Sequence, residues 1–132
     1  MQGETNLSVL IKNMQPILND GLYVFSSVSS IALFNLDKIL FFFKEEEGFT
    51  VVLEKKDADT EGVKYEALFA WITLHVHSAL EAVGLTAAFA TALGENNISC
   101  NVVAGYYHDH IFVQNELGEK AIAVLKKLAA EY

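Results

Sequence analysis

At 132 residues, the chain is long enough for one compact body or two very small subdomains sharing a core. Its 17 acidic against 9 basic residues give a formal net charge of -8, which excludes a nucleic-acid backbone as partner and disfavours an anionic membrane surface. With 52% hydrophobic residues and a mean hydropathy of +0.29, some apolar surface is expected to be buried between subunits.

In chain order, Leu7, Leu10, Ile11, Met14 and Leu18 mark a helical face with Thr5 or Asn6 as cap. Pro16, the only proline, should end or kink that helix because it lacks a backbone donor. After the turn Asn19-Asp20-Gly21, residues 22–28 read as a strand with Tyr23 and Phe25 on one face, and the hydroxyl-rich residues 26–30 as a loop bonded to its own backbone. Residues 39–43 and 49–53, joined by the acidic turn Glu45-Glu46-Glu47-Gly48, read as a hairpin. A short helix is expected over residues 55–62, with Asp57 as a possible cap.

The stretch from Trp71 to Val113 changes periodicity three times. Ile72, Leu74 and Val76 alternate with Trp71, Thr73, His75 and His77, the period-two pattern of a half-buried strand, so both histidines share the face away from the core. Leu85, Ala88, Phe89, Ala92 and Leu93 then form one helical stripe. Ser78 and Glu81 suit a capping box ahead of it, while Gly94 and Asn96-Asn97 suit its end. Residues 98–104 return to a strand, 105–110 turn, and 111–113 begin another strand. Ile122, Leu125, Leu128 and Ala129 mark a C-terminal amphipathic helix over residues 119–131, whose Lys126 and Lys127 complement the helix dipole. The inventory is α+β, with helices on one face of an antiparallel sheet.

This order carries a resemblance. The pieces Ser78-x-Leu80-Glu81-x-Val83-Gly84-Leu85, Asn96-x-Ile98-x-x-Asn101-Val102-Val103-Ala104-Gly105 and His110-Ile111-Phe112-Val113 resemble half of an ACT domain, the ligand-binding βαββαβ module of amino-acid metabolism. More narrowly, the chain is similar to small free-standing bacterial proteins built from two such units, related to the regulatory tail of aspartate kinase and to the arginine sensor of animal cells. The match is closest over residues 65–128. It implies ferredoxin-like βαββαβ units, antiparallel sheets with helices on one face, and two halves at residues 1–64 and 65–132. It also implies a homo-oligomer, dimer or tetramer, with an amino acid bound at a domain or subunit interface. The implied site is the loop 78–86 with the strand 98–103: Ser78, Glu81, Val83, Gly84, Leu85, Asn97, Ile98 and Asn101.

The residue types fit such a ligand. Gly84 lets a ligand approach the backbone closely. N–H groups at a helix start attract a carboxylate, Glu81 suits an ammonium group, and Asn97 and Asn101 offer donors and acceptors. Gly84 and Ser78 suit capping and tight packing equally well.

Other chemistry has weaker support. His75 with His77, and His108-Asp109-His110, form two pairs whose i, i+2 spacing points both rings to one side of a strand. Brought together, they would make a metal site, and with it a metal-dependent enzyme. The blander reading is that His75 and His77 cover the open sheet face while His108-Asp109-His110 makes a polar turn. Tyr106-Tyr107 suits either ligand stacking or an interface. There is no Gly-x-Gly-x-x-Gly, Walker loop or paired-cysteine zinc motif, so no cofactor is expected. Cys100 is alone, which points to a reducing compartment, and it reads as a small buried hydrophobe. The N-terminus lacks the basic region of a signal peptide and no apolar run approaches a bilayer's roughly 20 residues. A cytoplasmic, non-catalytic sensor or regulatory subunit is therefore expected, acting on an unidentified regulated protein. A ligand-free structural oligomerisation module is the remaining alternative.

Overall fold

The computed structural model describes residues 6–76 and 83–132. In chain order its elements are α1 (Leu7–Asn13), β1 (Gln15–Leu18), β2 (Tyr23–Val28), β3 (Ile39–Lys44), β4 (Phe49–Glu54), α2 (Lys55–Glu61), β5 (Phe69–His75), α3 (Leu85–Glu95), β6 (Asn101–Ala104), β7 (Asp109–Gln114) and α4 (Gly118–Ala130). Short 3-10 turns lie at Leu36–Lys38 and Asn115–Leu117. Two compact units result, Met1–Asp20 with Ala70–Tyr132, and Gly21–Phe69. The expected halves at 1–64 and 65–132 follow chain order; the compact units differ because α1 and β1 pack with the C-terminal elements.

In the first unit the strands run in the order β1-β5-β7-β6. Starting from β5, the chain runs β5-α3-β6-β7-α4, and its closing strand is β1, paired antiparallel to β5 from Gln15↔His75 to Leu18↔Ile72. This is a ferredoxin-like unit whose last strand comes from the start of the chain. Leu85, Phe89 and Leu93, one stripe of α3, pack with Leu10 and Ile11 of α1, Ala121 and Leu125 of α4, and Ile72, Leu74, Ile111 and Val113 of the sheet. All lie on one side because strand side chains alternate, leaving Trp71, Thr73, His75 and His110 to the other.

Asn6 caps α1 by accepting from the Val9 N–H at 3.1 Å, as the sequence predicts. That helix ends at Asn13, and Leu18, expected on its apolar face, lies instead in β1. A proline is tolerated there because β1 pairs on one side, with β5.

In the second unit the order is β3-β4-β2. The predicted hairpin forms as β3 and β4, and β2 pairs antiparallel to β4 from Tyr23↔Glu54 to Val28↔Phe49. Tyr23 also pairs with Phe69, the first residue of β5. The connection between β2 and β3 holds only the 3-10 turn, where a ferredoxin-like unit would place its first helix. Val24, Val51 and Leu53 pack under Ala58 of α2. Ser26 and Ser27, expected in a loop, lie in β2. Asp57 is not the cap of α2: Glu54 holds that position, and Asp57 sits in the first turn 3.6 Å from Lys38 Nζ.

Candidate functional site

α3 starts at a backbone position that favours glycine. Its N-cap, Gly84, has φ +97°, a region that L side chains rarely adopt. A Cβ there would also lie 3.0 Å from Leu7 Cδ2. No described side chain caps the helix and no acid sits in its first turn. The N–H groups of that turn have no intrahelical acceptor, and the helix dipole adds positive potential to them. The preceding Val83 is 83% exposed. Ser78 and Glu81, the other expected contributors from this loop, lie outside the described residues, as does His77.

The remaining expected residues divide by position. Leu85 and Ile98 are buried in the core, so only their backbones are available to a ligand. Asn97 adopts φ +60° in the turn ending α3, where its N–H donates to Gly94 O at 3.0 Å. The strand expected from residue 98 begins at Asn101, whose Nδ2 donates to Phe112 O at 3.2 Å. An 11-residue helix rises about 16 Å, so Val83, Gly84 and Leu85 stand at one end of α3 and Asn97 and Ile98 at the other.

On the helix-free face of the same unit lies a polar cluster that sequence reasoning did not assemble. Trp71 Nε1 donates to His110 Nδ1 at 3.0 Å, and Thr73 Oγ1 lies 3.2 Å from the same nitrogen. Asn19 Nδ2 donates to Thr73 Oγ1 at 2.9 Å and to Trp71 O at 3.2 Å. The rings of His75 and His108 stack with centroids 4.7 Å apart. Burial, and then the neighbouring His108 and His75, hold the His110 ring below its usual range. Asp109 and His110, expected in a turn, are the first residues of β7; the turn is Gly105-Tyr106-Tyr107-His108. The tyrosines meet edge to face at 5.0 Å and are largely exposed.

The four-histidine metal site does not assemble among the described residues: no three His, Cys, Asp or Glu side chains there come together as a ligand set. Burial pushes the Cys100 thiol up to about 11, so it is protonated and unreactive at neutral pH. Two surface clefts of this unit lie elsewhere, one of about 190 Å³ between α3 and α4 and one of about 360 Å³ lined by Met14, Gln15, Pro16, Ile17, Lys126 and Ala129. Neither contains an expected ligand residue. No described helix is long and apolar enough to cross a membrane.

Comparison with known proteins assigns both parts of the chain to one description. Residues 2–70 match one ACT domain family and residues 67–127 match another. No curated protein matches the chain. Among solved structures, a Vibrio cholerae protein of unknown function, titled a possible transport protein, is 50% identical over 93% of this chain and 95% of its own, with a TM-score of 0.84. An Agrobacterium tumefaciens protein is 16% identical over 88% and 89%, with a TM-score of 0.70. The ligand-free regulatory subunit of aspartate kinase from Thermus thermophilus is 8% identical over 88% and 96%, with a TM-score of 0.64. The last two matches establish shared fold alone.

Proposed function

The chain belongs to the ACT-domain family, and on that premise we propose that it is a non-catalytic regulatory protein that binds an amino acid at the start of α3. The observation that carries this reading is the helix start itself: a glycine at φ +97°, no described side-chain cap and an exposed approach past Val83. A ligand α-carboxylate there accepts from the first-turn N–H groups of α3, and Glu81, three residues before Gly84 in the sequence, is assigned the counter-charge for the ammonium group. Gly84 is required because a side chain would be strained and would collide with Leu7. The backbone of Leu85 belongs to this end, and Ser78 is assigned to the same site on the family resemblance.

Asn97, Ile98 and Asn101, at the far end of α3 or on β6, reach the same ligand only from a second copy, so the reading includes a homo-oligomer with the amino acid at a subunit interface. Regulation then passes through oligomer state or a partner protein. The resemblance of the fold to an aspartate kinase regulatory subunit supports this reading.

Thermal-shift assays against the twenty amino acids test it. One or two ligands at about 100 times their dissociation constant should stabilise the protein by roughly 2.7 kcal/mol. Val83→Glu places a negative charge beside the carboxylate position without disturbing packing, and should abolish the shift while leaving the ligand-free melting temperature unchanged. No shift with any amino acid would rule the reading out.

A further inference from the structure

The helix-free face of β5 and β7 brings three histidines near one another: the His75 and His108 rings lie 4.7 Å apart, and both act on His110. His110 Nδ1 faces two groups from β5: the Trp71 N–H, which can only donate, and the Thr73 hydroxyl. The nitrogen must therefore be the acceptor, which fixes the neutral Nε2–H tautomer. Protonation would turn Nδ1 into a donor pointing at a donor. Among the described residues, the titratable groups acting on this ring are His108, from the turn before β7, and His75 from β5. From the segment after β1, Asn19 reaches this ring through Thr73, and opposite on β6 stands Val103. Asp109, the neighbour on β7, alternates to the other face. His108 Nδ1 is buried without a partner among the described residues. Gly105 keeps the turn tight against this ring: its position lies within 3.3 Å of His110 Nε2 for a Cβ, and its N–H donates to His108 O at 2.9 Å.

We propose that His110 is an acid-sensitive latch: its uncharged ring, accepting from Trp71, holds the β6–β7 hairpin against β5, and its protonation loosens it. The device is separate from the amino-acid site at the start of α3 and operates without ligand. Burial and the two neighbouring rings hold His110 below its ordinary value of 6.5. Between that lower value and 6.5 the unfolded chain binds more protons than the folded one, so stability is full above about 6.5 and is lost as pH falls below it.

Trp71 is the only tryptophan in the chain, and an imidazolium quenches indole emission more strongly than a neutral imidazole. Emission of the ligand-free protein, titrated from about pH 8 to about pH 5, should fall in a single step with a midpoint below 6.5. Amide exchange in Asn101–Ala104 and Asp109–Gln114 should accelerate through the same step while Phe49–Glu54 does not. His110→Asn keeps an oxygen acceptor for the Trp71 N–H but cannot titrate, and should remove the step. His75→Gln relieves the repulsion on His110 and should move the midpoint upward. A flat wild-type profile, a step that persists in His110→Asn, or hairpin exchange that does not accelerate would overturn the latch. Should His110→Asn fail to fold, the His110 ring is followed by NMR in the wild-type protein. A midpoint below 6.5 supports the proposal and one at or above 6.5 overturns it.

Discussion

On the helix-free face of the Gly21–Phe69 unit, Phe25 meets Phe41 and Phe69 edge to face, with centroids 6.2 and 5.1 Å apart. The corresponding face of the other unit carries Trp71, Thr73, His75 and His110, tied to Asn19 by hydrogen bonds. Both units set a hairpin beside an earlier strand, β3-β4 beside β2 and β6-β7 beside β5, but only the first adds a fourth strand, β1, and they differ in what lies on the opposite side of the sheet. Three helices fill the core of the first unit around Phe89, Leu93 and Leu125, whereas in the second a two-turn helix packs on Val24, Val51 and Leu53, with the rest of its core partly buried. The unit with a deep core carries polar groups on its second face beside one buried aromatic ring, Phe112. One with a thin core draws hydrophobic stabilisation from both faces.

Substitutions break this contrast in graded steps. Phe89→Ala, which empties the centre of the deep core, should cost about 3–5 kcal/mol in chemical denaturation. Phe25→Ala removes two edge-to-face contacts and their buried area, and should cost about 2 kcal/mol. A negligible loss there would mean that the aromatic face contributes nothing to folding. Thr73→Val removes an acceptor from Asn19 Nδ2, which keeps Trp71 O, and should cost about 1 kcal/mol by the same measurement. Val83→Glu, on an exposed residue, should leave folding stability within about 0.5 kcal/mol and remove only the ligand response.

Local periodicity made much of this fold readable. The stripe Leu85, Phe89, Leu93 became the buried face of α3, the alternation through Ile72 and Leu74 became β5, and the acidic turn joined β3 to β4. What escaped was non-local. Nothing in Gln15-Pro16-Ile17-Leu18 announces a partner sixty residues away in β5, and the proline there argues for a break rather than a strand. His108-Asp109-His110 reads as a turn by composition, yet pairing with Val103 and Ala104 draws Asp109 and His110 into β7. The Trp71–His110 bond spans 39 positions, so its only sequence signal was that Trp71, Thr73 and His75 share one face. Within the candidate site, Gly84 was readable as a break between two patterns. The separation of Asn97 from Gly84 follows from helix length, which the resemblance to a family did not convey.

The most direct test of the regulatory reading is backbone amide NMR of the protein titrated with each amino acid that raises its melting temperature. The account predicts saturable shifts at Gly84, Leu85, Thr86 and Ala87, the N–H groups at the start of α3. Shifts confined to the cleft around Met14 and Lys126, with the α3 start unmoved, would contradict it.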